Sequence, residues 1–171
     1  RIREEALGPG HPDLVEPMVA LGLLREAQAE LPQAEELTRS AHLLAQETLP
    51  PGHPATRRAG AALAHVLEAQ GRYAEALPLV EAVVRSHEAD GGGTTELAGA
   101  LKQLSNLHFY LGDYLRADTV ALRALALHRE LYGPEHPAAA GDLVNLGAIR
   151  FELGDAVAAE ARFREALALQ E

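Results

Sequence analysis

Residues 131–169 read LYGPEHPAAAGDLVNLGAIRFELGDAVAAEARFREALAL. The stretch parses as a turn (GPEHP), an amphipathic helix, the two-residue turn Gly154-Asp155 and a second amphipathic helix. Ala, Leu, Val, Ile and Phe occupy more of each helix's circumference than a solvent-facing helix tolerates. A helix pair of this kind cannot close a core by itself and needs neighbours above and below. The chain supplies them, because the same pattern recurs about every 42 residues. Stacked helix pairs of fixed period form one elongated domain at almost any length, so the 171 residues are read as one solenoid.

Working outward, the other copies follow in order. Repeats are placed at about residues 8–49, 50–90, 91–132 and 133–171. The first opens with GPGHP (Gly8 to Pro12), with helix A at about Asp13–Ala29 and helix B at about Pro32–Leu49. Pro17 predicts that helix A starts late or has a distorted first turn. The second opens with PPGHP (Pro50 to Pro54), with helices at about Ala55–Gln70 and Tyr73–Ala89 split by Gly71-Arg72. Pro78 lies beyond the first turn of that helix B and is expected to cost a hydrogen bond and bend it. In the third junction Asp90-Gly-Gly-Gly-Thr-Thr95 replaces the Gly-x-His-Pro turn, and its three conformationally permissive glycines leave two readings, a hinge or, more commonly, a looser turn. Helices at about Glu96–Leu111 and Tyr114–Tyr132 follow, then Ala138–Leu153 and a helix from Ala156 onward. Residues 1–7 align with the end of a helix B, and residues 162–171 form a helix without a stop signal. Both are expected if the chain is a segment of a longer array, since solenoids close with polar caps.

Composition narrows the function. The hydrophobic fraction is 47%, with only 4% aromatic residues and no Cys, which excludes a disulfide framework and a Cys-type zinc site. Absence of Cys fits a reducing, cytoplasmic compartment. The formal charge of −10 opposes binding to nucleic acid or to anionic membranes, both of which call for clustered Lys and Arg. No apolar run reaches the length of a transmembrane helix, and residues 1–12 hold no signal-peptide apolar region.

Helix pairs of this period suggest tetratricopeptide, armadillo or HEAT repeats. Leu146-Gly147, Ala159, Phe163 and Ala166 stand at the spacing of the tetratricopeptide signature. The equivalents are Leu21-Gly22, Ala34, Thr38 and Ala41; Leu63-Ala64, Ala76, Val80 and Val83; and Leu104-Ser105, Ala117, Ala121 and Ala124. The small residues let helices A and B cross closely. On these residues the chain resembles tetratricopeptide repeats, and the 42-residue period with its Gly-x-His-Pro turn is similar to the kinesin-light-chain-like subclass. The resemblance implies an all-α, right-handed superhelical solenoid of antiparallel helix pairs. The Ala-, Leu- and Gly-rich usage suggests a bacterial, GC-rich source.

The recurrent His11, His53 and His136 do not form a metal site. Equivalent residues on stacked helices lie at least about 8–10 Å apart, whereas zinc ligands each sit about 2 Å from one ion. They read instead as turn residues whose polar atoms cap the next helix. Gly91-Gly92-Gly93 lacks the Gly-Lys-Ser/Thr of a phosphate loop. Ser40, Ser86 and Ser105 lie inside helices, with no nucleophile elbow. No cofactor and no catalysis are expected.

The positive reading is a protein or peptide ligand held on the concave face lined by helix A of each repeat. The residues placed there are Lys102, Gln103 and Asn106 (with Phe109 or Tyr110), Val144, Asn145 and Ala148, Arg58, Ala62, His65 and Glu68, and Val19, Ala20 and Leu23. Lys102, Gln103, Asn106, Asn145, His65 and Arg58 are the candidate contacts. An Asn at this place in the resembled family bonds the backbone of an extended peptide, since an amide both donates and accepts. Ala20 and Ala62 replace it in the first two repeats, which confines a polar clamp to the C-terminal half. Leu23, Phe109 and Phe151 are alternatively core residues. Two further readings stand beside the scaffold. One is a regulatory or sensor segment of a larger signalling ATPase or caspase-like protease. The other is self-association through the exposed ends of the solenoid.

Overall fold

The computed structural model describes residue 8, residues 10–50 and residues 52–169, and these hold helices and turns without strands. A 3-10 turn, Pro12–Leu14, precedes α1 (Val15–Ala27), α2 (Leu31–Thr48), α3 (Pro54–Ala69), α4 (Tyr73–Ala89), α5 (Thr95–Tyr110), α6 (Tyr114–Tyr132), α7 (Pro137–Glu152) and α8 (Ala156–Ala168). The sequence expectation for α4 and α6 matches these bounds, and the other helices differ by a residue or two. The helix end expected at residues 1–7 lies outside the described residues, as do Pro9, Pro51 and residues 170–171.

The two awkward prolines are accommodated differently. Pro17 is the third residue of α1, where its missing N–H has no intrahelical acceptor to lose. The preceding 3-10 turn is the distorted start that Pro17 predicted. Pro78 sits inside α4, which runs on without a break. Its ring leaves the Ala74 carbonyl without a helical donor, and both residues are exposed to water.

The helices begin on recurrent caps. The Nδ1 atoms of His11, His53 and His136 accept the backbone N–H of Asp13, Ala55 and Ala138 at 3.2, 3.2 and 3.1 Å. The proline that follows each histidine occupies the first helical position, where no N–H is needed. At the third junction Thr94 takes over and accepts from Leu97 N–H at 3.1 Å. Asp113 and Asp155 cap α6 and α8 through Arg116 and Ala158 N–H.

Within each repeat the first helix ends in a left-handed residue. Gly71, Gly112 and Gly154 have φ of +73°, +78° and +82°. The next residue's N–H reaches back five positions, as in Asp113 to the His108 carbonyl and Asp155 to the Arg150 carbonyl, both 2.9 Å. This is the Schellman termination, which needs the left-handed conformation that Gly adopts without cost. Repeat one makes the same bonds (Glu30 N–H to the Arg25 carbonyl, 2.9 Å) with Ala29 at φ +60°.

The chain divides between Ser86 and His87 into two compact units. In the first, α1, α2 and α3 pack around Val15, Val19, Ala41, Ala45, Ala55, Ala59 and Ala62, flanked by Met18, Leu44 and Leu49. In the second, α5 to α8 enclose Leu125, Leu143, Leu146 and Ile149 among Ala117, Ala121, Ala139 and Ala166. Burying each Leu or Ile is worth about 1.5–3 kcal/mol. The alanines contribute less area; they let the helices come close enough to bury the larger side chains.

The signature positions carry this packing. Ala34, Ala76, Ala117 and Ala159 are buried, as are Ala41, Val83, Ala124 and Ala166. A Cβ on Gly22 would lie 2.6 Å from Thr38 Cγ2, and one on Gly147 would lie 2.6 Å from the Phe163 ring. The mid-helix small residue is therefore the contact point between helices A and B. Thr38 is fully buried and satisfies its hydroxyl on the Ala34 carbonyl at 2.8 Å.

Candidate functional site

The first helices of neighbouring repeats lie side by side in each unit, α1 with α3 and α5 with α7. In the first unit, Arg58 Nε donates to Glu16 Oε1 at 2.9 Å across 42 residues, so the pair joins equivalent positions of successive repeats. His65 Nε2 lies 3.7 Å from Glu26 Oε1. Arg58 and His65 are both exposed, and each faces a carboxylate of α1. Such exposed pairs are worth about 0–1 kcal/mol, so a ligand carboxylate could displace Glu16 or Glu26 at little cost.

In the second unit the structure brings Lys102, Gln103, Asn106 and Asn145 to half-buried positions on α5 and α7. Asn145 Nδ2 donates to Ser105 Oγ at 3.1 Å, and Ser105 Oγ donates to the Ala117 carbonyl at 2.9 Å. That relay ties α7 to α5 and α6. It commits the Asn145 amide nitrogen to the protein. Asn106 makes no side-chain hydrogen bond to another described residue. Val144 and Tyr110 are exposed on the same two helices, while Phe109 leans on the core and meets Tyr110 and Tyr114 edge-on.

Some residues assigned to the face lie elsewhere. Val19 and Ala62 are buried, because Val15 and Val19 share one side of α1 and that side meets α2 and α3. Leu23 and Phe151, read as alternative core residues, are exposed; Phe151 is 63% accessible.

The sequence reading missed a buried ionisable pair. Asp142, 1% exposed in α7, contacts His128 Nδ1 of α6 through Oδ2 at 2.5 Å, and its Oδ1 has no partner. Burial pushes the Asp142 carboxyl up from its ordinary range, against the His128 hydrogen bond and the charge of Lys102, which hold it down. Lys102 is the chain's single lysine, and its Nζ lies over Gly141, 2.7 Å from where a Cβ would stand. His128 stacks on Tyr132, which stacks on the cap residue His136 at 4.6 Å between centroids. A signal was available: Asp142 stands where the preceding repeats have the buried Ala100 and Ala59. Among the described residues no three His, Cys, Asp or Glu side chains group as metal ligands, and no helix is long and apolar enough to cross a membrane.

Two profiles of the tetratricopeptide repeat match the chain, over residues 96–171 and 56–89, together more than half of it. No curated protein matches significantly. The crystal structure of BtubC (BKLC) from P. vanneervenii is similar at TM-score 0.89 and 22% identity, covering 99% of this chain and 68% of that one. Kinesin-light-chain TPR-like repeats of Podosopora anserina superpose at TM-score 0.86 with 20% identity, over 99% of this chain and 81% of theirs. MamA from Desulfovibrio magneticus RS-1 gives 0.72 and 20%, over 95% and 77%. These likenesses establish the fold. With the signature positions packed as described, the chain belongs to the tetratricopeptide-repeat family, with kinesin-light-chain-like repeats among its structural neighbours.

Proposed function

We propose that this chain is a non-catalytic scaffold whose first-helix faces hold a peptide or a segment of a partner protein. Tetratricopeptide repeats as a class are scaffolds for protein–protein interaction. The observation that supports the reading is that Lys102, Gln103, Asn106 and Asn145 are half-buried on the first helices of the second unit, with Val144 and Tyr110 exposed on the same helices. Amides supply donors and acceptors for an extended backbone, and the apolar neighbours supply contact area. In the first unit, Arg58 and His65 would exchange Glu16 and Glu26 for acidic groups of the ligand.

The test is selection of peptides on the intact chain from a displayed random library, followed by calorimetric titration of the best binder. Gln103→Ala with Asn106→Ala is expected to weaken binding by about tenfold, the equivalent of about 1.4 kcal/mol, with an unchanged helical circular dichroism spectrum. Unchanged affinity in that variant would reject the assignment. Asn145→Ala is the less clean probe, since it also breaks the Ser105 relay.

A further inference from the structure

Within each unit a second helix packs on the first helix of the next repeat, α2 with α3 and α6 with α7. In the second unit α6 offers Ala117, Ala121 and Leu125 to this junction, and α7 covers them with Ala139, Leu143, Leu146 and Ile149. Arg150 of α7 fastens the edge. Its Nη2 donates to Asp118 Oδ2 of α6 at 2.7 Å, and its Nε lies 2.7 Å from Oδ1.

One period later, α8 carries the same positions without a cover. Phe163 and Leu167, at the places of Ala121 and Leu125, are 42% and 59% accessible. They line an open groove with Phe151 and Ala159, edged by Glu160 and Arg164. Glu160 stands where α6 has Asp118. The complementary face is on α1. Leu21 and Leu24 correspond to Leu146 and Ile149 of α7 and to Leu63 and Val66 of α3, all four of them buried, yet they are 41% and 53% accessible. Arg25 stands where α7 has Arg150. Both halves of the α6–α7 junction, apolar contacts and ion pair alike, therefore recur uncovered on one chain. The two charges are held by partners close in sequence, Arg25 by Gln28 and Glu30, and Glu160 by Arg164. Exposed pairs of this kind exchange at little cost.

We infer that the outward face of α8 binds the outward face of α1 on a second copy of this chain. Leu21 and Leu24 of the incoming helix lie on Phe163 and Leu167, and its Arg25 reaches Glu160, as α7 lies on α6. The charges select this pairing, because two like faces would bring Glu160 to Glu160 or Arg25 to Arg25. The contact is heterologous, so every added copy presents a fresh face and assembly runs past the dimer. None of the proposed peptide contacts lies on either face, and the inference stands apart from the groove.

The experiment is sedimentation equilibrium of the intact chain from micromolar to millimolar concentration. The weight-average mass is expected to rise with concentration and to exceed that of a dimer. Leu24→Asp blocks the α1 face and Leu167→Asp blocks the α8 face. Both positions are exposed, so each variant should keep the parent's circular dichroism spectrum and stay monomeric alone. Mixed, the two should form a one-to-one dimer and nothing larger, since each supplies the face that the other lacks. Glu160→Arg should weaken association at least tenfold, and adding Arg25→Glu in the same chain should restore it by remaking the ion pair between copies. A parent that is monomeric at millimolar concentration would overturn the inference and leave the two faces to helices of another protein. Self-association of either single-face variant alone would overturn it in favour of like-face pairing. A mixture that stays monomeric, or a charge swap that restores nothing, would also refute it.

Discussion

The termination of α1 allows a sharp test of how the repeat uses its turn. Ala29 occupies at φ +60° the place that Gly71, Gly112 and Gly154 fill in the other repeats. An L-residue in the left-handed region carries a clash of Cβ with the following carbonyl of about 1–2 kcal/mol. Glycine avoids that clash but loses more backbone entropy on folding, which offsets about 0.4–1 kcal/mol. Ala29 is exposed, so its methyl contributes no packing that the change would remove. Ala29→Gly is therefore expected to stabilise the protein by about 0.5–1 kcal/mol, the difference between those two effects. For a chain of this size that raises the thermal midpoint by about 1–4 °C. The reciprocal change Gly112→Ala should cost a similar amount, because open space surrounds the added Cβ and only the backbone conformation is penalised. At position 29 the order should be Gly, then Asn, then Ala, then Val, since Asn tolerates the left-handed region and β-branched residues do not. Urea unfolding followed by circular dichroism measures the parent and all four variants. An Ala29→Gly protein no more stable than the parent, or a harmless Gly112→Ala, would refute the argument.

Three further outcomes follow from the packing and the caps. Gly22→Ala should destabilise by about 1–3 kcal/mol through overpacking, because the new Cβ meets the buried Thr38 methyl at 2.6 Å. Adding Thr38→Ser removes that methyl, and a double-mutant cycle should recover at least about 1 kcal/mol; strict additivity would show that the methyl is not the obstacle. His136→Ala should cost about 1 kcal/mol of stability, whereas His136→Asp or His136→Ser should stay within a few tenths, because each restores an acceptor for the α7 N-terminus; equal losses in denaturation would deny the cap. The lowered pKa of His42 means that the unfolded chain binds its proton first, so its contribution to stability is full above about pH 6.5 and is lost as pH falls. The raised pKa of Asp142 acts in the opposite sense, giving stability at acid pH that is lost as pH rises through its folded value. Urea midpoints measured from pH 4 to pH 8 should accordingly rise more steeply with pH for Asp142→Asn than for the parent; parallel profiles would exclude a titrating Asp142.

Much of the fold was legible because it rests on local chemistry repeated down the chain. The Gly-Asp turns carry both the left-handed conformation and the cap, and the His-Pro pairs carry the cap and the first helical residue. These are dictated within a few residues of sequence, which is why helix bounds came out nearly right. The small residues at the crossing points were readable for the same reason. Register was less legible. Leu23 and Phe151 look like core residues by type and are exposed, while Ala62 was read toward the ligand face and is buried. Hydrophobicity says that a residue prefers burial; it does not say which side of a nearly all-apolar helix meets a neighbour.

The candidate sites divide along the same line. Sequence alone determined the all-α repeat, its period, its terminations, and the placing of Lys102, Gln103, Asn106 and Asn145 on the first helices. Tertiary structure decided what those side chains are available to do. It joined Asn145 to Ser105 across 40 residues, and Arg58 to Glu16 across 42. It also buried Asp142 against His128. Hydrogen bonds and ion pairs act over a few ångströms in space, and in a stacked repeat the residues within that reach lie a repeat length apart or on different helices of one unit. Their pairing follows from the rotation of each helix about its axis, which a periodic sequence constrains only as a pattern and the packed core resolves into one arrangement.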